Sequence, residues 1–214
     1  MITVWGRKSS SNVQAVMWCI AELGLEHNRN DAGLMYGVVD TDEYLNMNPT
    51  GTVPTLVDGD KPALWESGAI LRYLANNYAT ESFWPEDPIA RANVDRWAEW
   101  SKLNIALKFT APIFWKIVRT APSKQDPDAI AAAIQTFDKQ LDIAEAQLSM
   151  SHYIAGPELS LADIQFGHCL YRYFNIDIER KERPVLDAYF KSLTQRQAFA
   201  HNVMVSYEEL IERD

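Results

Sequence analysis

The pattern of hydrophobic and polar positions divides the chain into two parts. Before residue 80, short apolar runs alternate with apolar residues spaced three and four positions apart. This alternation predicts the element order β-α-β-α-β-β-α. After residue 88 only helical spacing recurs, with prolines where helices should begin. We therefore expect an α/β domain over residues 1–80, a linker over residues 81–88 and an all-helical domain over residues 89–214.

Local signals place the elements of the first part. Residues 2–5 (ITVW) predict a short buried strand, and the helix after it should end at Gly24, since glycine commonly follows a helix C-terminus. A polar strand is expected near residues 26–30 and a short helix over residues 43–47. The runs 55–57 and 63–65 flank Asp58-Gly59, which predicts a hairpin with a tight turn. Ser67 is expected to cap the next helix.

The second part has its own helix boundaries. Pro88 suits the first turn of a long helix whose apolar residues continue to Leu107, and Pro112 should bend it. A second helix is predicted from residue 127 or 128 to 149. The sequence Ser160-Leu161-Ala162-Asp163 predicts another helix start, because serine and aspartate at this spacing exchange capping hydrogen bonds. Further helices should follow Pro184 and the region of Gln195.

Composition narrows the function classes. The chain has 214 residues and a net charge of −9, which gives it no excess of basic residues for nucleic acid or anionic lipid. No apolar run approaches the roughly 20 residues that span a bilayer, and the first five residues are too few for a signal-peptide core. We therefore expect a cytoplasmic protein with neither a membrane nor a nucleic-acid partner. Cys19 and Cys169 lack metal-ligand spacing, so we expect core thiols and no metal.

Three features of the first part are candidates for chemistry. Hydroxyls cluster at residues 9–11 between a strand and a helix, Thr52-Val53-Pro54 precedes the hairpin, and Glu66-Ser67 joins a strand to a helix. Each feature also has a purely structural explanation, as a helix cap or a loop proline. Their combination is more specific than any one of them.

Together these features resemble the glutathione S-transferase family over essentially the whole chain. The matching segments are Ser10-x-Asn12-Val13-Gln14, Asn48-Pro49-x-Gly51-x-Val53-Pro54, Asp58-Gly59, Trp65-Glu66-Ser67-x-Ala69-Ile70 and Ser160-Leu161-Ala162-Asp163. The resemblance implies a thioredoxin-like first domain with a four-stranded mixed sheet that binds glutathione. It implies an all-helical second domain that contributes the electrophile pocket, and a cis bond before Pro54.

The resemblance also implies roles for individual residues. The backbone of Val53, in the segment Thr52-Val53-Pro54, would pair with the cysteinyl part of glutathione, and Glu66 and Ser67 would hold its γ-glutamyl end. The segment around Ser10 looks like the serine classes of the family, of theta-like or phi-like type.

In those classes the hydroxyl that stabilises the thiolate corresponds to Ser10. Ser11 is the alternative, and the Asn12 amide is a further candidate donor to the same sulfur. Trp100, Asn104 and Trp115 are candidates for the hydrophobic-substrate pocket, although aromatic residues at helical spacing are more often core.

The sequence departs from the family pattern at the peptide site. Thr52 stands where relatives often carry glutamine, and Val39 and Asp40 stand where they carry lysine or histidine. These basic residues help to bind the peptide ends of glutathione. Lys8 or Arg72 could replace them, or binding could be weaker.

The resemblance leads to one main functional hypothesis and two alternatives. The main hypothesis is a homodimeric transferase that conjugates glutathione to small hydrophobic electrophiles, as in detoxification. One alternative uses the same site for glutathione-dependent reduction of disulfides or peroxides. The other is a non-catalytic binding or scaffold member of the fold.

Overall fold

The N-terminal domain is built on one mixed sheet. The computed structural model describes residues 1–214, and its strands are β1 (Ile2–Trp5), β2 (His27–Asn30), β3 (Thr55–Asp58) and β4 (Leu64–Trp65). Their order in the sheet is β2-β1-β3-β4. β1 pairs with β2 in parallel and with β3 antiparallel, and β3 pairs with β4 antiparallel. The predicted four-stranded mixed sheet is confirmed.

Three helices accompany the sheet. They are α1 (Ser11–Glu22), α2 (Asp42–Met47) and α3 (Ser67–Tyr78). Five residues, 6–10, connect the end of β1 to the start of α1. This connection places the serine cluster at the N-terminus of α1.

The C-terminal domain contains only helices. Its principal members are α4 (Pro88–Trp100), α7 (Pro127–Leu148), α8 (Leu161–Gly167), α9 (Leu170–Asn175), α10 (Pro184–Thr194) and α11 (Gln197–Asn202). α4 continues through a π-helical segment (Ser101–Ala106), α5 (Leu107–Phe109), a second π-helical segment (Thr110–Trp115) and α6 (Lys116–Val118). Pro112, where the sequence predicts a bend in the long helix, lies inside the second π-helical segment.

A single apolar core joins the two domains. The Trp18 ring of α1 packs edge-on against Phe199 of α11, with 4.9 Å between ring centroids. A Cβ atom at Gly167 would lie 2.9 Å from the Trp18 ring, so α8 also approaches α1 closely. Phe83 and Trp84, between α3 and α4, are buried as well. These contacts hold the helical domain against the helix that carries the serines.

Two local predictions need correction. Ser67 does not cap α3, because Glu66 occupies the N-cap position with a φ of 65° and the Ser67 hydroxyl is bound elsewhere. The chain does turn at Asp58-Gly59, because the Lys61 N–H donates to the Asp58 carbonyl at 3.1 Å and Gly59 has a φ of 64°, but the whole connection spans residues 59–63 and is longer than the predicted tight turn. The Asp58 carboxylate accepts hydrogen bonds from Tyr73 and Lys61, at 2.6 and 2.9 Å, and from Tyr78.

The predicted helix start at Ser160 is confirmed. Ser160 and Asp163 form a reciprocal capping box, and Asp163 also accepts hydrogen bonds from the Ile154 N–H at 2.9 Å and the Tyr189 hydroxyl at 2.8 Å. Asp163 is fully buried, so it anchors three segments of the helical domain at one point. The predicted core positions of Cys19 and Cys169 are also confirmed, because both thiols are buried and unbridged.

Candidate functional site

The serine cluster offers two hydroxyls without a partner in the protein. Ser9 donates its hydroxyl hydrogen bond to the Glu209 carboxylate, so it is already engaged. Ser10 occupies the N-cap position of α1 with an extended backbone, yet its side chain makes no capping hydrogen bond. Ser11, the first residue of α1, also has no hydrogen bond from its hydroxyl. The helix-cap explanation therefore does not account for either Ser10 or Ser11.

The loop before β3 presents an unpaired peptide group. The Val53–Pro54 bond is cis, as the resemblance implies. The Thr52 carbonyl accepts hydrogen bonds from the Tyr44 hydroxyl at 2.7 Å and the Asn48 amide at 2.9 Å, which fix the loop. Neither the N–H nor the carbonyl of Val53 has a partner within the chain. Such a group is free to pair with an extended peptide, as an exposed strand edge does.

A lysine from the helical domain reaches the start of α3. The Lys102 ammonium donates to the Ser67 hydroxyl at 2.9 Å and to the Asn12 side-chain carbonyl at 3.2 Å. Ser67 also donates to Asn12, at 3.3 Å. Burial lowers the pKa of Lys102, and the negative charge of Glu66 acts against that shift. Because Lys102 forms no ion pair with a carboxylate, its only protein acceptors are neutral oxygens.

A cavity of about 430 Å³ lies between the two domains. The predicted residues that line it are Ser10, Ser11, Asn12, Thr52, Val53 and Trp115. Three arginines also line it: Arg7, Arg119 and Arg172. A larger cavity, of about 630 Å³, lies between α7 and residues 177–181 and contains none of the predicted residues. The smaller cavity is therefore the candidate site.

Some predicted residues lie outside the lining of this cavity. Pro54 is buried, and Glu66 and Ser67 lie at the start of α3, where Ser67 bonds to Asn12 of the lining. Trp100 packs against Trp97, with 5.2 Å between ring centroids, and Asn104 accepts a hydrogen bond from a neighbouring lysine. Neither of these two residues touches the cavity.

The two candidate replacements for the missing basic residues are placed elsewhere. Lys8 is exposed and belongs to a separate cavity beside His27 and His201. Arg72 forms ion pairs with Asp95 at 2.7 Å and Glu99 at 2.8 Å. The cations that line the candidate cavity are therefore the three arginines, and Lys102 lies next to it through its bond to Asn12.

Comparison with known families decides what this architecture is. Residues 1–76 match the family model described as "Glutathione S-transferase, N-terminal domain", and residues 106–197 match "Glutathione S-transferase, C-terminal domain". The chain belongs to the glutathione S-transferase family. It is an enzyme of that family, with the thioredoxin-like and all-helical domains that the sequence predicts.

Individual relatives extend over the whole of this transferase. Glutathione S-transferase GstB of Escherichia coli is 34% identical over 206 residues, covering 96% of this chain and 99% of the relative. Glutathione S-transferase 3 of Zea mays is 30% identical, covering 94% and 93%. The theta class glutathione S-transferase of Xanthomonas axonopodis pv. citri, solved with glutathione bound, superposes with a TM-score of 0.90 at 40% identity, covering 96% and 98%.

Four cations near the site of this transferase were not singled out as site residues from the sequence. Lys102, Arg7, Arg119 and Arg172 lie far apart along the chain and match no motif. The sequence did contain a weak signal for Lys102, because it is a basic residue in the apolar stretch of the long helix. Neither Cys19 nor Cys169 lines the cavity, and no group of three or more metal-ligating side chains is placed to hold a metal ion. The helices include none long and apolar enough to cross a membrane.

Proposed function

We propose that this transferase binds glutathione along residues 1–80, with Ser10 as the donor that keeps the thiol ionised. Residues 89–214 would supply the acceptor pocket, and residues 81–88 the linker. The observation that carries the proposal is a set of unpaired groups: the Ser10 hydroxyl and the Val53 peptide, which line the cavity, and the N-terminus of α3, where Ser67 bonds to Asn12 of the same lining.

The γ-glutamyl end of glutathione fits the start of α3. A helix N-terminus carries unpaired N–H groups and a partial positive charge, which favour a carboxylate. Here the Lys102 ammonium, held by Ser67 and Asn12, adds a full positive charge beside that helix end. We assign the α-carboxylate of the γ-glutamyl residue to this place, and the cysteinyl backbone to Val53.

The thiol must be ionised to react at neutral pH. A free thiol has a pKa of about 8.5, and lowering it by two units requires roughly 2.7 kcal/mol. A hydrogen bond to a charged acceptor contributes about 1.5–3 kcal/mol, and a helix N-terminus adds up to about 1 kcal/mol. A hydroxyl at the start of α1 therefore suffices, and Ser10 donates a hydrogen bond without becoming the nucleophile.

The reaction is a conjugation. The glutathione thiolate attacks an electrophilic carbon, a carbon–sulfur bond forms, and the leaving group departs with its electron pair. Of the three residues predicted for the acceptor pocket, Trp115 lines the cavity, whereas Trp100 and Asn104 do not. Most of the rate enhancement would come from positioning and from stabilising the thiolate.

The test measures the pKa of bound glutathione in three proteins: wild type, Ser10→Ala and Ser11→Ala. Ultraviolet difference spectra across a pH titration report the thiolate, and calorimetry reports affinity. We expect Ser10→Ala to raise the pKa of the bound thiol by about 1–2 units, with affinity for the tripeptide largely retained. An unshifted pKa in Ser10→Ala together with a shifted one in Ser11→Ala would transfer the role to Ser11. Unshifted values in both would reject the hydroxyl mechanism.

We also propose that the protein is a cytoplasmic homodimer with a role in detoxification. Large apolar side chains remain exposed along the long helix, with Leu103 at 49% and Leu107 at 56%. Their four-residue spacing puts them on one helix face, where a second copy could cover them. Gel filtration at micromolar concentration should give twice the 24.4 kDa mass of the chain, and elution as a monomer would contradict the dimer.

A further inference from the structure

Three arginines converge on the cavity of a protein that is acidic overall. Arg7 comes from the loop between β1 and α1, Arg119 follows α6, and Arg172 lies on α9. The net charge of −9 means that this cluster does not reflect a general excess of basic residues. None of the three guanidinium groups forms an ion pair with a carboxylate.

Arg172 and Arg119 contact only uncharged groups, and Arg7 has a buried nitrogen without a partner. Arg172 is 3% exposed, donates to the Ser9 carbonyl, and lies with its guanidinium 4.6 Å from the centroid of the Phe114 ring. Arg119 lies 4.7 Å from the centroid of the Trp115 ring. The Nε atom of Arg7 is buried without a hydrogen-bond partner. Each guanidinium therefore keeps donor capacity that the protein does not use.

The cluster is electrostatically unfavourable without an anion. Burial lowers the pKa of Arg172 to about 10, and the charges of Arg7 and Arg119 act in the same direction. Burial and the charge of Arg119 likewise lower the pKa of Arg7. A bound anion would relieve both the mutual repulsion and the unmet hydrogen bonding.

We propose that the acceptor substrate of this transferase carries a carboxylate beside its apolar reacting part, and that Arg7, Arg119 and Arg172 bind this carboxylate. The inference rests on the proposed conjugation and specifies its acceptor. The apolar part would lie against the neighbouring side chains Leu34, Val53, Trp115 and Leu210. We assign the cluster to the acceptor because Arg119 stacks on Trp115, the lining residue proposed for the acceptor pocket, whereas Lys102 bonds to Ser67 at the proposed γ-glutamyl end.

One carboxylate lies near the cluster and provides a reciprocal test. Glu209 accepts hydrogen bonds from Ser9 and, at 3.3 Å, from the Tyr36 hydroxyl, and its charge raises the pKa of Arg7. It therefore weakens the positive potential that a carboxylate substrate would meet. Replacing Glu209 with glutamine removes the charge and keeps the size of the side chain.

The experiment compares two acceptors that differ in charge only. Each is a chlorodinitrobenzene ring, with either a carboxylate or a carboxamide para to the chlorine. In both, the thiolate sulfur bonds to the ring carbon and chloride leaves with the electron pair, while the carboxylate or carboxamide stays intact. Rates are divided by the uncatalysed rates. We expect wild type to favour the carboxylate about tenfold or more in kcat/KM, as loss of one charged hydrogen bond would predict.

The variants locate the effect. Arg119→Gln should raise KM for the carboxylate acceptor about tenfold and leave KM for the carboxamide and for glutathione unchanged. Glu209→Gln should lower KM for the carboxylate acceptor. Arg96→Gln is the matched control, because Arg96 is exposed on α4 and lies outside the cavity. The same two rings without the chlorine atom cannot react, so calorimetry in the presence of S-methylglutathione compares the affinity for carboxylate and carboxamide directly.

Three results would overturn the inference. The first is that wild type shows the same kcat/KM for the carboxylate and carboxamide acceptors and binds the two chlorine-free rings with the same affinity. Another is an Arg119→Gln variant whose KM rises for glutathione alone, which would assign the cluster to the glycyl carboxylate of the peptide. A third is an equal effect of Arg96→Gln. Failure of the proposed function would give a different result, because wild type would then not bind S-methylglutathione.

Discussion

Replacing Lys102 with methionine should weaken glutathione binding without weakening the fold. Methionine has a similar length and no charge, so it fills the same space beside Ser67 and Asn12. The hydrogen bond from Ser67 to Asn12, at 3.3 Å, does not depend on the lysine and should persist. The substitution thus removes the cation and retains the surrounding geometry.

The magnitude follows from the contacts of Lys102. A charge-assisted hydrogen bond between the ammonium and the γ-glutamyl carboxylate contributes about 1.5–3 kcal/mol, so the Kd should rise about 10- to 100-fold. In the unliganded protein the ammonium is half-buried and lacks a carboxylate partner, and burial lowers its pKa. Removing a partly desolvated, unpaired charge should leave the free energy of unfolding unchanged or raise it.

Two measurements test these opposite effects. Isothermal titration with S-methylglutathione gives the Kd without interference from thiol ionisation, and urea unfolding gives the stability. Lys108→Met is the matched control, because Lys108 lies on the same long helix and bonds only to Asn104, at 2.8 Å. The reasoning fails if Lys102→Met binds S-methylglutathione as tightly as wild type, or if Lys108→Met weakens binding equally.

Two further predictions concern stability. Asp163→Ala should lower the free energy of unfolding, measured by urea titration, by about 3 kcal/mol or more. The reason is that the substitution leaves the buried donors of Ile154, Ser160 and Tyr189 unpaired. A loss below about 1 kcal/mol would contradict the role assigned to Asp163 in the helix cap. Hydrogen bonds lower the pKa of Asp58 to about 2 in the folded protein, and the bond from Tyr73 is the largest cause. The ionised Asp58 carboxylate therefore stabilises the fold above the unfolded pKa of about 4, and this stabilisation is lost as the pH falls towards about 2. Thermal unfolding of wild type should therefore lose more stability over this interval than that of Asp58→Asn, and parallel losses would refute the assignment.

The fold was largely predictable because its signals are local. The capping box at Ser160 needs only four consecutive residues, and the strands of the hairpin needed only the apolar runs on either side of Gly59. The errors arose where tertiary contacts override local preference. Ser67 looks like a cap in sequence, but a lysine 35 positions away binds its hydroxyl, and Glu66 takes the cap position instead.

The candidate site was predictable mainly in its N-terminal half, and Trp115 is the one predicted residue of the helical domain that lines the cavity. Ser10, Val53 and Ser67 lie in short segments whose neighbours define their conformation. No such local pattern identifies Lys102 or Arg172, because their partners are 90 positions away at Asn12 and 163 positions away at Ser9. Periodicity also fails to separate Trp115, which lines the cavity, from Trp100, which packs on other aromatic rings.

The two domains contribute different chemical groups to the proposed site. The N-terminal domain contributes neutral donors and one cation, Arg7, whereas the helical domain contributes Lys102, Arg119 and Arg172. In the proposed reaction the tripeptide brings two carboxylates and the acceptor brings a third into a space that also holds a thiolate. Because like charges at short range oppose one another, these four anionic groups require compensating cations. Substitutions in the helical domain should therefore change which charged substrates are accepted, while the serine hydroxyl on α1 continues to stabilise the sulfur.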